Sequence, residues 1–171
     1  MDFEHLVTHR YSARSYLDRE VPEEILNQVL EAARLAPTAA NRQPFQLIVI
    51  TTEGKHDQLL EIYNRDWFVQ PPLVICAVAV PDQGWVRHKY DQKNYTWVDV
   101  SIAFDHLTLQ AAELGLGTCW IAAFNPAAAR TFLGLPDEVD PVAFTPLGYP
   151  ADKPQAKKRK ALKDIVRYET W

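Results

Sequence analysis

Apolar positions along the chain follow helical spacing in some stretches and strand spacing in others. Two helical patterns are the longest. The first begins at Pro22, a favourable first residue of a helix, and ends at Pro37; the second covers 97–114 and ends at Gly115. Residues 73–80 are apolar at every position, as in a strand covered on both faces. The same reasoning predicts shorter helices over 2–9, 54–63 and 126–134, and further strands over 45–51, 117–124 and 142–147.

The segments between these elements have distinct characters. Residues 10–17 are expected to be extended, 37–44 to form a polar loop, and 82–96 to form a mobile surface segment rich in polar and aromatic side chains. The order of elements predicts an α+β fold, with a small mixed or antiparallel sheet flanked by helices. We expect one domain over 1–171, in which 151–171 form a basic C-terminal arm.

Charge is unevenly distributed along the 171 residues, whose net charge is −4. Residues 151–171 hold seven Lys and Arg against three Asp and Glu, whereas the rest holds 11 against 19. The arm is therefore suited to dock on its own acidic body, to dock on a partner subunit, or to bind an anion. A nucleic-acid binder would need a broader basic surface, so no nucleic-acid partner is expected.

The remaining composition is that of an ordinary globular chain, with 47% hydrophobic and 23% charged residues. Neither a signal-peptide pattern nor an apolar run of membrane-spanning length is present. We therefore expect a cytoplasmic protein with reduced thiols at Cys76 and Cys119, and no membrane partner.

The first segment with chemical potential is Arg10-Tyr11-Ser12-Ala13-Arg14. In an extended backbone, Arg10, Ser12 and Arg14 would lie on one face and offer donors to a phosphate. The alternative is a solvated charged surface, where most arginines occur. The basic run 157–160 near the other end of the chain is a second group of cations.

Two further segments are unusual. In the loop 36–45, Asn41 and Gln43 each carry a donor and an acceptor suited to the edge of a heterocycle, although they could equally satisfy turn backbone. In 115–124, the Gly-x-Gly follows a helix and precedes a strand, which is not the dinucleotide-binding order. Cys119 in that strand has no evident histidine partner and is disfavoured as a nucleophile.

Other catalytic groups are not evident in the sequence. His5 and His9 have a spacing that can bind metal, but no third ligand is apparent, so no metal site is expected. The chain shows no catalytic triad, Walker loop or paired carboxylates. This is the pattern expected when a cofactor performs the chemistry.

Taken together and in order, these segments resemble the nitroreductase family of FMN-dependent oxidoreductases. The matching parts are Arg-x-Ser-x-Arg at 10–14, Ala-Pro-x-x-x-Asn-x-Gln-Pro-aromatic at 36–45 and Gly-Leu-Gly-Thr-Cys-Trp at 115–120. Gly148-Tyr149-Pro150 and Lys157-x-Arg159 complete the match, which spans nearly the whole chain. The resemblance implies an intertwined homodimer with FMN bound where the two subunits meet.

The resemblance also assigns residues to the cofactor. Arg10 and Ser12 would hold the FMN phosphate and ribityl chain, aided by Lys157 and Arg159, and Arg14 would reach the pyrimidine side. Thr38, Ala39 and Asn41 would contact the flavin from the other subunit, with Gln43 behind them. Backbone groups at Ile121, Ala122 and Ala123 would face the reactive nitrogen, and Leu147 and Gly148 would lie near the ribityl chain and phosphate. No side chain of the protein is assigned as catalytic.

The implied activity is transfer of hydride from NADH or NADPH, followed by reduction of a nitroaromatic, quinone or similar acceptor in a ping-pong cycle. Alternatives are a flavin-binding or flavin-carrying protein without efficient turnover, and a specialised dehalogenase or dehydrogenase on the same scaffold. Two departures are that Tyr11 stands where the family often has a second Arg, and Phe45 where it often has Trp. The chain is short and has little room for the inserted helices of longer members, so 82–96 could cover the site instead.

Overall fold

A four-stranded antiparallel sheet forms the centre of the protein, as a computed structural model of the chain shows; the structure describes residues 2–171. The strands are β1 (Phe45–Thr51), β2 (Leu73–Ala79), β3 (Gly117–Thr118) and β4 (Asp140–Gly148), arranged in the order β1-β2-β4-β3. Every pairing between these strands is antiparallel. The predicted α+β class is therefore confirmed, and of the two forms predicted for the sheet, mixed or antiparallel, the structure has the antiparallel one.

Helices cover both faces of the sheet because β2 is apolar at every position. Ile75 and Ala77 face a core formed with α2 (Glu23–Arg34) and α4 (Thr96–Glu113). Val74 and Cys76 face the opposite core, with α3 (His56–Ile62) and α5 (Pro126–Leu133). All seven residues of β2 are buried, as the uninterrupted apolar run predicted.

The helices begin and end largely where the sequence predicts. α1 (Phe3–His9) is capped by Asp2, whose side chain accepts a hydrogen bond from the His5 amide. α4 is followed by Gly115 at φ +77°, a left-handed conformation that glycine adopts without strain. The buried face of α4 uses residues such as Val100 and Phe104, whereas Val98 near its start is 48% exposed.

The third strand is shorter than the predicted span 117–124. Continuing the register of Gly117 opposite Gly148 would pair Cys119 with Pro146, which has no amide N–H to donate. The Cys119 amide donates instead to Oγ1 of Thr145 at 3.0 Å. Pairing resumes only at Ile121, which exchanges two hydrogen bonds of 2.9 Å with Phe144. Pro146 thus interrupts the ladder.

The basic arm has little regular structure. Its single helix, α6 (Leu162–Ile165), is one turn long, and residues 153–165 are all exposed. Four large apolar side chains are exposed in it by 65% or more, namely Leu162, Ile165, Tyr168 and Trp171. Across residues 2–171, no helix has the length and apolar character needed to cross a membrane.

Candidate functional site

Residues 10–17 run in extended conformation past the β3 edge, as predicted. The Ala13 amide donates to the Thr118 carbonyl at 3.0 Å, and Ser12 forms a parallel bridge with Thr118. Further along, the Ala151 amide donates to the Ser15 carbonyl at 2.8 Å, so the segment also pairs with the chain that leaves β4. The segment is therefore fixed between β3 and the beginning of the arm.

Close packing at Gly117 explains why this edge can hold the segment so tightly. Ala13 is fully buried, and a Cβ placed on Gly117 would lie 2.8 Å from the Ala13 Cβ. The same Cβ would approach the Cβ of Pro150 to 3.1 Å and Cε1 of Tyr16 to 3.2 Å. Because Gly117, the second glycine of the Gly-x-Gly pair, has no side chain, residues 13–16 can pack directly against the backbone of β3.

A cleft of about 650 Å³ lies between this segment and the arm. Arg10, Ser12 and Arg14 line it together, as the alternation in an extended backbone predicts. Lys157 and Arg159 line its other side. The two basic groups, 143 or more residues apart in sequence, therefore meet in one cleft. The other lining residues are Tyr11, Asp152, Lys153, Gln155, Ala156 and Lys158.

The cleft concentrates positive charge that the protein itself only partly compensates. Partial burial and the nearby charges of Arg159 and Arg10 lower the pKa of Lys157, whose Nζ donates to the Val7 carbonyl at 2.5 Å. Nε of Arg10 is buried and has no hydrogen-bond partner among residues 2–171. A buried donor without a partner costs free energy, so Arg10 is held at this position by the surrounding structure and not by a hydrogen bond of its Nε.

The loop 37–44 lies outside this cleft. It contains a one-turn 3-10 helix, Ala39–Asn41, and three non-glycine residues with positive φ: Ala40 at 52°, Asn41 at 54° and Gln43 at 48°. Such conformations persist only where surrounding contacts impose them. Two contacts do so: the Ala39 amide donates to Oδ1 of Asp99 at 2.8 Å, and Oγ1 of Thr38 accepts from the Gln43 amide at 3.0 Å.

Within one chain, the structure therefore does not bring Thr38, Ala39, Asn41 and Gln43 to the basic cleft. The Asn41 side chain is engaged locally, since its Oδ1 accepts from the Gln43 side-chain amide at 2.9 Å. Their contribution from a second subunit stays a prediction.

The residues after β3 divide into buried and exposed ones. Ile121 is 4% exposed and belongs to the core, whereas Ala122 and Ala123 are exposed with small side chains. Leu147 is fully buried, backbone included, within one chain. Gly148 lies against Pro71, whose Cβ would be 2.6 Å from an added glycine Cβ. None of these five residues lines the basic cleft, and their assignment to the cofactor stays a prediction.

The two cysteines have the properties of packing residues. Burial raises the pKa of the Cys119 thiol, and the opposing influences of Arg14, Ser12 and Arg10 are smaller than that of burial. Burial alone raises the pKa of Cys76. A thiol that stays protonated is a weak nucleophile, which agrees with the expectation from sequence.

Residues 82–96 form a loop held by its own side chains. Val86 and Asn94 are bridged, and the rings of Trp85 and Tyr95 pack edge to face at 5.3 Å. Arg87 pairs with Asp91 and donates to the Tyr95 hydroxyl at 2.6 Å. The Arg87 guanidinium lowers the pKa of Asp91 to about 2. The loop does not line the basic cleft, and its predicted mobility and coverage of a site stay predictions.

Sequence reasoning missed two acidic residues that organise these segments. Asp152 contacts residues 11 and 14, and Asp99 holds the 37–44 loop. The sequence held a clue to each of them. Asp152 is an acidic residue at the start of a basic arm, and Asp99 falls on the apolar face of α4. In the structure Asp99 is 2% exposed. A buried carboxylate on such a face needs hydrogen-bond partners.

The open antiparallel sheet between helical layers is shared with a solved structure of a nitroreductase family protein. A sequence profile of the nitroreductase family matches residues 7–65 and 62–149. The chain belongs to the nitroreductase family.

Individual relatives extend this match over the whole chain. A nitroreductase family protein from Clostridium difficile 630 is 40% identical, covers 100% of both chains and superimposes with a TM-score of 0.92. An FMN reductase [NAD(P)H] from Bacillus subtilis is 31% identical over 97% of this chain and 72% of its own. An FMN-dependent nitroreductase from Clostridium difficile R20291 is 26% identical, with a TM-score of 0.80 over 97% of this chain and 98% of that one.

Proposed function

We propose that the protein is an FMN-dependent oxidoreductase that takes hydride from NADH or NADPH. Family membership and the names of two relatives, an FMN reductase [NAD(P)H] and an FMN-dependent nitroreductase, support this class of activity. The observation that carries the proposal is the basic cleft, which Arg10, Ser12, Arg14, Lys157 and Arg159 line together.

These residues fit the phosphate end of FMN. Arg10 offers a planar donor fork with Nε already desolvated, Ser12 offers a hydroxyl, and the arm adds two cations. Arg14, which lies over the Trp67 ring at 5.8 Å, is the cation assigned to the pyrimidine side. Ala122 and Ala123, which are exposed and have small side chains, are proposed to approach the ring through their backbone.

FMN, when bound, supplies the redox chemistry: it accepts a hydride from NAD(P)H and passes two electrons to an acceptor. We propose nitroaromatics and quinones as acceptors, in a ping-pong cycle in which oxidised nicotinamide leaves before the acceptor enters. The chain's own residues bind and orient the cofactor. Arg10, Ser12, Lys157 and Arg159 hold its phosphate, and the positive charge of Arg14 favours the anionic reduced ring.

A second copy of the chain is proposed to complete each site. The loop 37–44 lies apart from the basic cleft in one protomer, and the arm exposes apolar side chains that a monomer leaves in water. The charges of two surfaces are complementary. A cleft of about 830 Å³ along α2 and α4 is lined by Glu23, Glu24 and Glu31, and the arm of a second copy is basic.

We also propose a cytoplasmic location, which the free state of both cysteines supports. Cys76 and Cys119 are buried and unpaired in disulfides. Cytosolic thiols are kept reduced, so a fold that needs no disulfide suits that compartment.

The absorption spectrum of the purified full-length protein and its response to reductant test the activity. Flavin bands that bleach anaerobically with NADH or NADPH, and return on addition of a nitroaromatic or quinone, are the expected result. Protein saturated with FMN that does not bleach with either nucleotide would contradict the proposal. Bleaching followed by reoxidation with oxygen alone would favour a flavin carrier over a reductase. A monomeric mass at full FMN occupancy would contradict the shared site.

A further inference from the structure

One carboxylate, that of Asp152, joins the two sides of the basic cleft. The Tyr11 hydroxyl lies 2.8 Å from the Asp152 backbone oxygen and 2.9 Å from its Oδ1. Oδ2 accepts a hydrogen bond from the Arg14 amide at 2.8 Å. Both carboxylate oxygens are therefore used by the segment that carries Arg10, Ser12 and Arg14.

The arm has few other attachments near its cations. The Ala151 amide donates to the Ser15 carbonyl immediately before Asp152, and within residues 2–171 the next hydrogen bond from the arm to the body runs from Lys157 Nζ to the Val7 carbonyl. Between these points the chain is exposed. Holding long basic side chains in one geometry costs conformational entropy, so an anchor five residues before Lys157 reduces the freedom that binding must remove.

The Tyr11 hydroxyl is suited to be a permanent donor in this contact. Burial, together with the hydrogen bond to Asp152 and its negative charge, raises the pKa of Tyr11 to about 12. The phenol is therefore protonated throughout the neutral range.

We propose that Asp152, through Tyr11 and the Arg14 amide, is a positioning residue that sets the phosphate-binding geometry of the cleft. It holds the arm so that Lys157 and Arg159 face Arg10 and Ser12. The inference rests on the proposed function, because it takes the anion to be the phosphate of FMN. Riboflavin, which lacks that phosphate, is the probe that isolates the effect.

A purely electrostatic role of Asp152 and a positioning role predict opposite changes in FMN affinity for Asp152→Asn. Removing a negative charge from the cleft should tighten phosphate binding if charge alone matters. Asn keeps the size of Asp but offers only one acceptor oxygen, so it breaks part of the anchor. If Asp152 acts by positioning, FMN affinity falls despite the gain in positive potential.

The experiment is a pair of titrations, with FMN and with riboflavin, on the full-length wild type, Asp152→Asn, Tyr11→Phe and the exposed control Asp137→Asn. We expect Asp152→Asn and Tyr11→Phe each to weaken FMN binding by about tenfold, the factor expected for one lost hydrogen bond to a charged group, with riboflavin binding unchanged. Asp137→Asn should match the wild type with both flavins.

Each contrary outcome has a separate meaning. Tighter or unchanged FMN binding by both Asp152→Asn and Tyr11→Phe overturns the inference, as does an equal loss for both flavins, which would indicate a merely structural role. If Asp152→Asn fails to fold, Tyr11→Phe decides alone, because it removes the hydrogen bond without changing charge. A wild type that binds neither flavin contradicts the proposed function itself, and the inference falls with it.

Discussion

The backbone N–H of Ala39 donates to Oδ1 of Asp99 at 2.8 Å, across 60 residues of sequence, and so ties the strained loop to the first turn of α4. Asp99 is 2% exposed, and its Oδ2 is buried with no hydrogen-bond partner among residues 2–171, so the Ala39 amide is the group that Oδ1 binds. The carboxylate thus serves a backbone that would otherwise lose its positive-φ conformation.

Asp99→Ala should therefore release the loop. We expect a loss of about 1–3 kcal/mol in the free energy of unfolding, because the variant leaves a partly buried amide unsatisfied. Hydrogen exchange of the Ala39 amide should be faster than in the wild type under conditions in which the rest of the protein stays folded. Asp105→Ala on the exposed side of α4 is the matched control. Unaltered protection of the Ala39 amide would show that the loop is held by other contacts.

Gly117→Ala should disturb the cleft without touching a cation. The new Cβ would lie 2.8 Å from the Ala13 Cβ, so residues 10–14 must move. FMN affinity should fall, as a fluorescence titration would measure. Adding Ala13→Gly removes the nearest clashing atom and should recover part of the affinity. Wild-type affinity in the single variant would mean that the edge accommodates the methyl group.

Arg10→Ala should weaken FMN retention by about 1.5–3 kcal/mol, the contribution of a hydrogen bond to a charged group. Equilibrium dialysis of the holoprotein measures the loss. Arg65→Ala, which removes an exposed arginine outside the cleft, is the control. If both variants retain FMN equally, Arg10 does not belong to the phosphate site.

The pKa of Lys157 should respond to phosphate binding. In the free protein, partial desolvation of the ammonium and the charges of Arg159 and Arg10 lower this pKa, and a bound dianion favours the charged ammonium and raises it. Affinity for inorganic phosphate should therefore fall as pH rises through the lowered pKa of Lys157. NMR of 13C-methylated lysines would follow the titration, with Lys89 as an internal control. A Lys157 signal that ignores phosphate would place the anion elsewhere.

How far the sequence predicts this structure depends on whether an interaction is local. The face shared by Arg10, Ser12 and Arg14 follows from strand geometry alone, and the structure confirms it. The full burial of 73–79 follows from its composition. The length of β3 could not be predicted, because it depends on Pro146 lying opposite Cys119 in the sheet.

The site shows the same division. The cations were recognisable by type, but Asp152 and Asp99 act through partners 138 and 60 residues away. Such contacts are set by topology and leave no periodic trace in the sequence. These long-range contacts determine how the cations of the cleft and the 37–44 loop are held.

The arm carries the cations Lys157 and Arg159 at one end and the exposed Leu162, Tyr168 and Trp171 at the other. In the proposed dimer, this one segment would contribute to both cofactor binding and subunit association. Ordering it for either event reduces the entropy cost of the other, so the two equilibria are thermodynamically linked. Linkage is reciprocal: FMN would tighten the dimer by the same factor by which dimerisation tightens FMN.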